Sequence, residues 1–145
     1  MAKETRGAVQ IEFVLSFLTI MFVIFGIWEL VMVVYTMNVL SDAAKEGVRY
    51  AIVHGGGNIN CSGPNPPDTC TNPDVPADNV VNMVKDWARY SFHDISALNV
   101  VVTYPDGTTE APARVRVQVV YDFIPFTALP VRPALSAVAE GRIVY

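Results

Sequence analysis

The stretch GAVQIEFVLSFLTIMFVIFGIWELVMVVYTMNVL, residues 7–40, decides how the rest of the chain must be read. From residue 8 to residue 40, 25 of 33 positions are apolar, and the run from Phe13 to Trp28 is interrupted only by Ser16, Thr19 and Gly26. No Lys or Arg occurs between Arg6 and Lys45. A run of this kind reads as a membrane-class helix. At the helical rise, Phe13 to Leu40 spans roughly 42 Å against a hydrocarbon core of roughly 30 Å, so the helix projects beyond the bilayer and its outer end belongs to another part of the molecule.

Ahead of the run, Lys3 and Arg6 outweigh Glu4 and place the N-terminus on the cytoplasmic side, with the C-terminal part exported. A cleavable secretory signal, with Ser41 and Ala43 as small residues at its processing site, is the competing reading; the apolar region exceeds the roughly 7 to 15 residues of such signals. The 145-residue chain carries a net charge of −4, divided as +1 over residues 1–7, −2 over 8–40 and −3 beyond. No basic tract for nucleic acid is present.

Glu12 stands near the start of the apolar run, where an ionised carboxylate costs several kcal/mol unless it is paired. Cutting the chain after Gly7 would create an α-amino group at Ala8, four residues and about 6 Å of helix from Glu12. The pair can close within one subunit or, when staggered, between neighbours, and the second arrangement sets the register of a polymer.

These residues carry a resemblance. Gly7, Ala8, Val9, Gln10, Ile11, Glu12 and Phe13 look like the processing site of type IV prepilins, where Gly is followed by four residues, Glu, and then Tyr or Phe. The continuation through Phe25, Gly26, Ile27, Trp28 and Glu29 to Tyr35, Asn38, Ala43, Ala44, Gly47, Arg49, Tyr50 and Ala51 is similar to TadE-like pseudopilins of the tight-adherence branch, over about residues 6–53. The resemblance implies cleavage between Gly7 and Ala8 by a prepilin peptidase, with Glu12 and Phe13 serving assembly. The implied partners are the peptidase, other pilin or pseudopilin subunits, an inner-membrane assembly platform and membrane lipid. The protein would reside in a bacterial inner membrane and then at the pilus or cell surface. Where such segments often carry a Leu-Pro pair, this chain reads Leu15, Ser16, Phe17, Leu18, so no proline kink carries over. Glu29 marks either the exit of the helix from hydrocarbon or a contact between subunits.

Beyond Leu40 the pattern is amphipathic, with Ala43, Gly47, Tyr50 and Ala51 on one face, and the helix is expected to reach about Val53. Residues 54–78 hold four Gly and five Pro and read as loop. Its Cys61 and Cys70 are the only cysteines, and export favours their oxidation to a disulfide. A metal site from Cys61, Cys70, His54 and Asp68 fits poorly, since the cysteines are spaced more widely than the two to four residues of zinc knuckles.

Val80, Val81, Val84, Trp87 and Ala88 recur at helical spacing in a second helix over 78–92, with Asp78 as N-cap, Trp87 in the core and His93 just past the end. Strands are expected at 98–104, at 115–123 by the alternation of Val115, Val117, Val119, Tyr121 and Phe123, and at the tail through Leu135, Ala137, Ala139 and Ile143. Arg114 and Arg116 share a strand face that either binds an anion or is simply solvated.

The fold class is therefore α+β: a long pilin-like helix, its lower half transmembrane, packed on about three antiparallel strands with a second short helix. The division is a leader at 1–7, a hydrophobic helix at 8–40 and an exported domain at 41–145. Neither His54 nor His93, nor Gly55–Gly57, completes a catalytic or phosphate-binding motif, so no catalytic residue, cofactor or metal is assigned. The function expected is that of a minor pilin that joins or primes a tight-adherence pilus. Cleavage after Gly7 would leave 138 residues, long for the shaft subunits of this branch. A shaft or tip adhesin subunit is one alternative, and an unprocessed, singly anchored protein that binds envelope ligands is the other.

Overall fold

A computed structural model describes residues 4–90, 94–126 and 132–144, with side chains from Gly7 onward. Helix α1 (Glu4–Val53) runs unbroken for 50 residues, about 75 Å at the helical rise. No proline interrupts it. Thr19 and Thr36 each donate their hydroxyl to the carbonyl four residues back, at 2.9 Å, so the apolar stretch satisfies these polar groups itself. This helix is long and apolar enough to cross a membrane.

The two halves of α1 have different surroundings. Between Val9 and Trp28 its large apolar side chains are exposed, Met21 being only partly covered. From Glu29 upward one stripe is buried, its members recurring at spacings of three, four and seven: Glu29, Thr36, Leu40, Ala43, Ala44, Gly47, Val48 and Ala51. That spacing is one face of a helix, and the rest of the chain packs on it.

Strands β1 (Leu98–Thr103), β2 (Arg114–Asp122) and β3 (Ala134–Arg142) form an antiparallel sheet in the order β1-β2-β3. The register pairs Val100 with Val119 and Val117 with Ala139, so the inward residues of neighbouring strands meet on one face. Along β2 burial alternates without a slip, Val115, Val117, Val119 and Tyr121 inside and Arg114, Arg116 and Gln118 outside. The inner face lies on α1 and on α2 (Asp78–Ala88), which packs on α1 and β1. The architecture is α+β, with the long helix, the short helix and the three antiparallel strands in the expected order.

Four details differ from the sequence reading. Helix α2 stops at Ala88 rather than 92, and a short 3-10 turn, Ile95–Ala97, leads into β1; Phe92 and His93 lie outside the described residues. The strand ends shift by one residue, to 98–103 and 114–122. Trp87 is not core: it is 41% exposed, because Val80, Val84 and Ala88, one turn apart, fill the buried face and leave position 87 at its margin.

Asp78 is not the N-cap either. The residue before the helix is Ala77, left-handed at φ 113° and without a capping side chain. Asp74 reaches over instead, its carboxylate accepting from Asp78 N–H at 3.0 Å and Asn79 N–H at 2.8 Å. It thereby satisfies two donors that a helix start leaves open and sets negative charge at the positive end of the helix dipole. The same carboxylate accepts from the Ser62 hydroxyl at 2.9 Å, tying the loop to the helix. Asp74→Ala is expected to cost about 2 kcal/mol, the upper part of the N-cap range, and to lower the unfolding midpoint measured by near-ultraviolet circular dichroism; an unchanged midpoint would remove Asp74 from this role.

Candidate functional site

Three regions of the chain bear on function: the base of the stem, the seam between stem and sheet, and the loop that carries the disulfide. At the base, Gly7, Ala8, Glu12 and Phe13 all lie on the exposed surface of α1. A Cβ added at Gly7 would meet nothing within 4 Å, so the chain's own packing does not require glycine there. Among the described residues Glu12 has no ion-pair partner. Phe13 is 70% exposed and stacks on Phe17 one turn later, with ring centroids 6.4 Å apart. The base is an apolar rod with one carboxylate near its end.

Glu29 is placed differently. It is the lowest buried residue of the domain-facing stripe, and its carboxylate accepts from the Phe126 N–H at 3.3 Å. Phe126 lies in the chain that leaves β2, so this acid holds the lower end of the sheet against the helix across 97 residues of sequence. The contact is within the chain, an arrangement that local spacing around Glu29 does not contain.

The seam is made of small residues. Gly47 faces α2 and β2, where an added Cβ would fall on Val84 Cγ2 and lie 3.4 Å from Val117 Cγ1. Across the seam Gly141 of β3 takes up the space beside Val48 and Ile52. Ala43, Ala44 and Ala51 are wholly buried, so the helix backbone approaches the sheet and α2 closely along this line.

In the loop, Cys61 and Cys70 form a disulfide with Cα atoms 5.8 Å apart, and both residues are buried. The thiolates that a metal site would need are thus joined to each other. The loop packs on the turn after β1: the Tyr104 hydroxyl donates to the Ser62 carbonyl at 2.8 Å. Burial, with the Asp74 charge second, pushes the Tyr104 hydroxyl up to about 12. Gly63, at φ +121°, makes room for the Tyr104 ring, and a side chain there would strike that ring and Thr109. Closing a loop of about ten residues contributes roughly 2 to 3 kcal/mol on the chain-entropy model. Reduction is therefore expected to open residues 54–78 to proteolysis while the sheet stays folded, which fragment mapping with and without reductant would check.

The paired arginines of β2 are already matched by carboxylates. Arg114 donates from Nη2 and Nε to Asp106 at 2.7 and 3.2 Å, and Arg116 lies 3.3 Å from Glu140 on β3. The Arg114 guanidinium holds the Asp106 carboxyl down at about 2. This face reads as a solvated sheet surface with its charges balanced, not as a vacant anion site.

The stem and the seam together form one continuous pattern from a glycine at position 7 to a small-residue face at 43–51. Residues 7–49 match the family model of TadE-like proteins. No curated protein and no solved structure matches the chain. The TadE-like segment begins at Gly7, contains Glu12, Phe13 and Glu29, and ends within the seam, two residues past Gly47. The match covers 43 of the 145 residues, less than a third of the chain, and lies wholly within α1. The long apolar helix of this segment fits a membrane anchor.

Proposed function

We propose that this chain is a minor pilin, or pseudopilin, that joins or primes a tight-adherence pilus after a prepilin peptidase cuts between Gly7 and Ala8. The observation that carries the reading is the placement of Gly7, Glu12 and Phe13 at the bare foot of a helix whose upper half bears an α+β domain. In the membrane the N-terminus is cytoplasmic and the domain is exported. Residues 1–7 are the leader, 8–40 the membrane and filament-core helix, and 41–145 the exported domain.

The chemistry of assembly is packing. Exposed apolar residues from Val9 to Trp28 exchange lipid contacts for those of neighbouring stems, while the domains form the outer layer. Glu12 meets the new α-amino group of Ala8, its own or a neighbour's, and that pair fixes the stagger. The assembly platform in the inner membrane supplies the work.

Mass measurement of the protein isolated from its own cells tests the reading. A chain that starts at Ala8, seven residues short, is the expected result. A chain that still starts at Met1 in cells with a working prepilin peptidase overturns it in favour of an unprocessed anchored protein.

A further inference from the structure

The apolar surface of the stem does not end where the domain begins. Ile24, Trp28, Val31, Tyr35 and Val39 recur at spacings of four and three, so they share one flank of α1. Trp28 and Val31 on this flank are exposed. At its upper end Val39, with Asp42, Trp87 and Tyr90, lines an open groove of about 340 Å³ between α1 and the end of α2. Trp87 meets Tyr90 edge to face, with ring centroids 6.0 Å apart, and Tyr90 is 76% exposed. The Tyr35 hydroxyl donates to the Tyr90 carbonyl at 3.5 Å, which ties this aromatic wall to the stem. Asp42 is paired with Lys45 at 3.0 Å, so the groove asks for no cation from its occupant.

Height excludes lipid as that occupant. From Ala8 to Trp28 there are twenty helical steps, about 30 Å, enough to fill a hydrocarbon core. The headgroup regions add about 10 to 15 Å over both faces, or about 5 to 7.5 Å on the exported side. Val39 and Asp42 stand 11 and 14 residues above Trp28, about 16 to 21 Å along the helix, so the groove opens beyond the headgroups. The bare apolar helix that this chain offers is the stem from Val9 to Trp28. A copy at equal height cannot bring it to the groove, because that copy carries its own domain from Glu29 upward. A copy raised by about 21 Å or more sets its bare stem alongside the whole groove. The stagger that the Ala8 amine of one stem and Glu12 of the next would set is about 6 Å, and four such steps give about 24 Å.

We propose that the groove between α1 and α2 seats the stem of a second copy drawn out of the membrane, with Trp87 and Tyr90 packed on its apolar side chains. Residues 13–28 of a stem carry no ionisable side chain, which suits a groove whose one acid is already paired. The inference rests on the assembly reading above and names the surface that takes the place of lipid once a stem has left the bilayer.

The test uses the full chain in its own cells. One copy carries p-benzoylphenylalanine in place of Tyr90, and an epitope-tagged native copy is expressed beside it. After irradiation, pili are sheared, the tagged copy is isolated under denaturing conditions, and cyanogen bromide cuts after Met21, Met32, Met37 and Met83. The expected product joins position 90 of one copy to residues 22–32 of the tagged one. Tyr90→Glu combined with Trp87→Glu, both outside the core, should lower the amount in pili by about tenfold or more, because a seated stem would bury unpaired charge. Processing at Gly7 and the protease resistance of residues 54–144 should not change in that variant.

No capture, capture of a domain fragment, capture of the stem of a different pilus protein, or undiminished incorporation of the double glutamate variant would each overturn the seat and leave the assembly reading in place. Absence of the tagged native copy from sheared pili would overturn the assembly reading, and the seat with it.

Discussion

Leucine in place of Gly47 is expected to lift the sheet and α2 from the stem. In a helix interior, glycine costs roughly 1 kcal/mol relative to alanine, so its presence mid-helix asks for a reason. The reason is contact: the Cβ of any other residue would fall on Val84 Cγ2, and Val117 closes the space from the strand side. Val84 and Val117 are fully buried and cannot move aside without displacing α2 or β2. Overfilling a core site of this kind costs about 1 to 3 kcal/mol, and leucine adds three further carbons beyond the one that already collides, so the cost should reach or exceed about 3 kcal/mol. Gly47→Ala makes the graded control, since the helix-propensity gain offsets part of its clash. In detergent, Gly47→Leu should keep the helical signal of the lower stem while near-ultraviolet dichroism is lost and residues 54–144 become protease-sensitive. Native-like dichroism and protease resistance in Gly47→Leu would mean that the close approach at this seam does not support the fold.

The same seam shows what a one-dimensional reading can and cannot reach. Ala43, Gly47 and Ala51 stand out in sequence as small residues at helical spacing, and they are the residues on which the domain sits. The alternation from Val115 to Phe123 gave β2 its inward face because a strand turns its side chains over every second residue, whatever else packs nearby. The buried face of α2 and its cap both lie beyond what local spacing specifies. Local spacing identifies a helix but not the width of its buried stripe, and α2, packed against the narrow backbone of α1, needs only Val80, Val84 and Ala88 to fill its contact. Its cap comes from Asp74, four residues upstream, because Ala77 carries no capping group and the chain turns back at that point. The Glu29–Phe126 contact joins residues 97 apart, and no periodicity encodes a pairing of that range. At the foot of the stem the position is reversed. Gly7 and Glu12 are conspicuous in the sequence because the fold makes no use of them: no packing asks for the glycine, and among the described residues no cation answers the acid.

Glu12→Ala is therefore expected to leave the domain's stability and membrane insertion intact and to abolish incorporation into the pilus. Insertion should not suffer, since an unpaired carboxylate in an apolar run is itself a cost to the anchor. Incorporation should fail because the stems offer few other features that define a stagger: between Phe13 and Trp28 the surface is apolar apart from Ser16, Thr19 and Gly26, and one vertical offset buries nearly as much as another. Opposite unit charges about 4 Å apart attract by roughly 4 kcal/mol at an effective dielectric near 20, before desolvation is subtracted, enough to favour one offset over its neighbours. Glu12→Gln separates charge from shape, since it keeps the length and one acceptor but cannot pair as an anion; it too should fail to assemble. The measurement is the ratio of the protein in sheared pili to that in membranes, from cells in which processing at Gly7 is verified by mass. Pili with the normal content of a processed Glu12→Gln subunit would show that charge at this position does not set the register, and that shape alone aligns the stems.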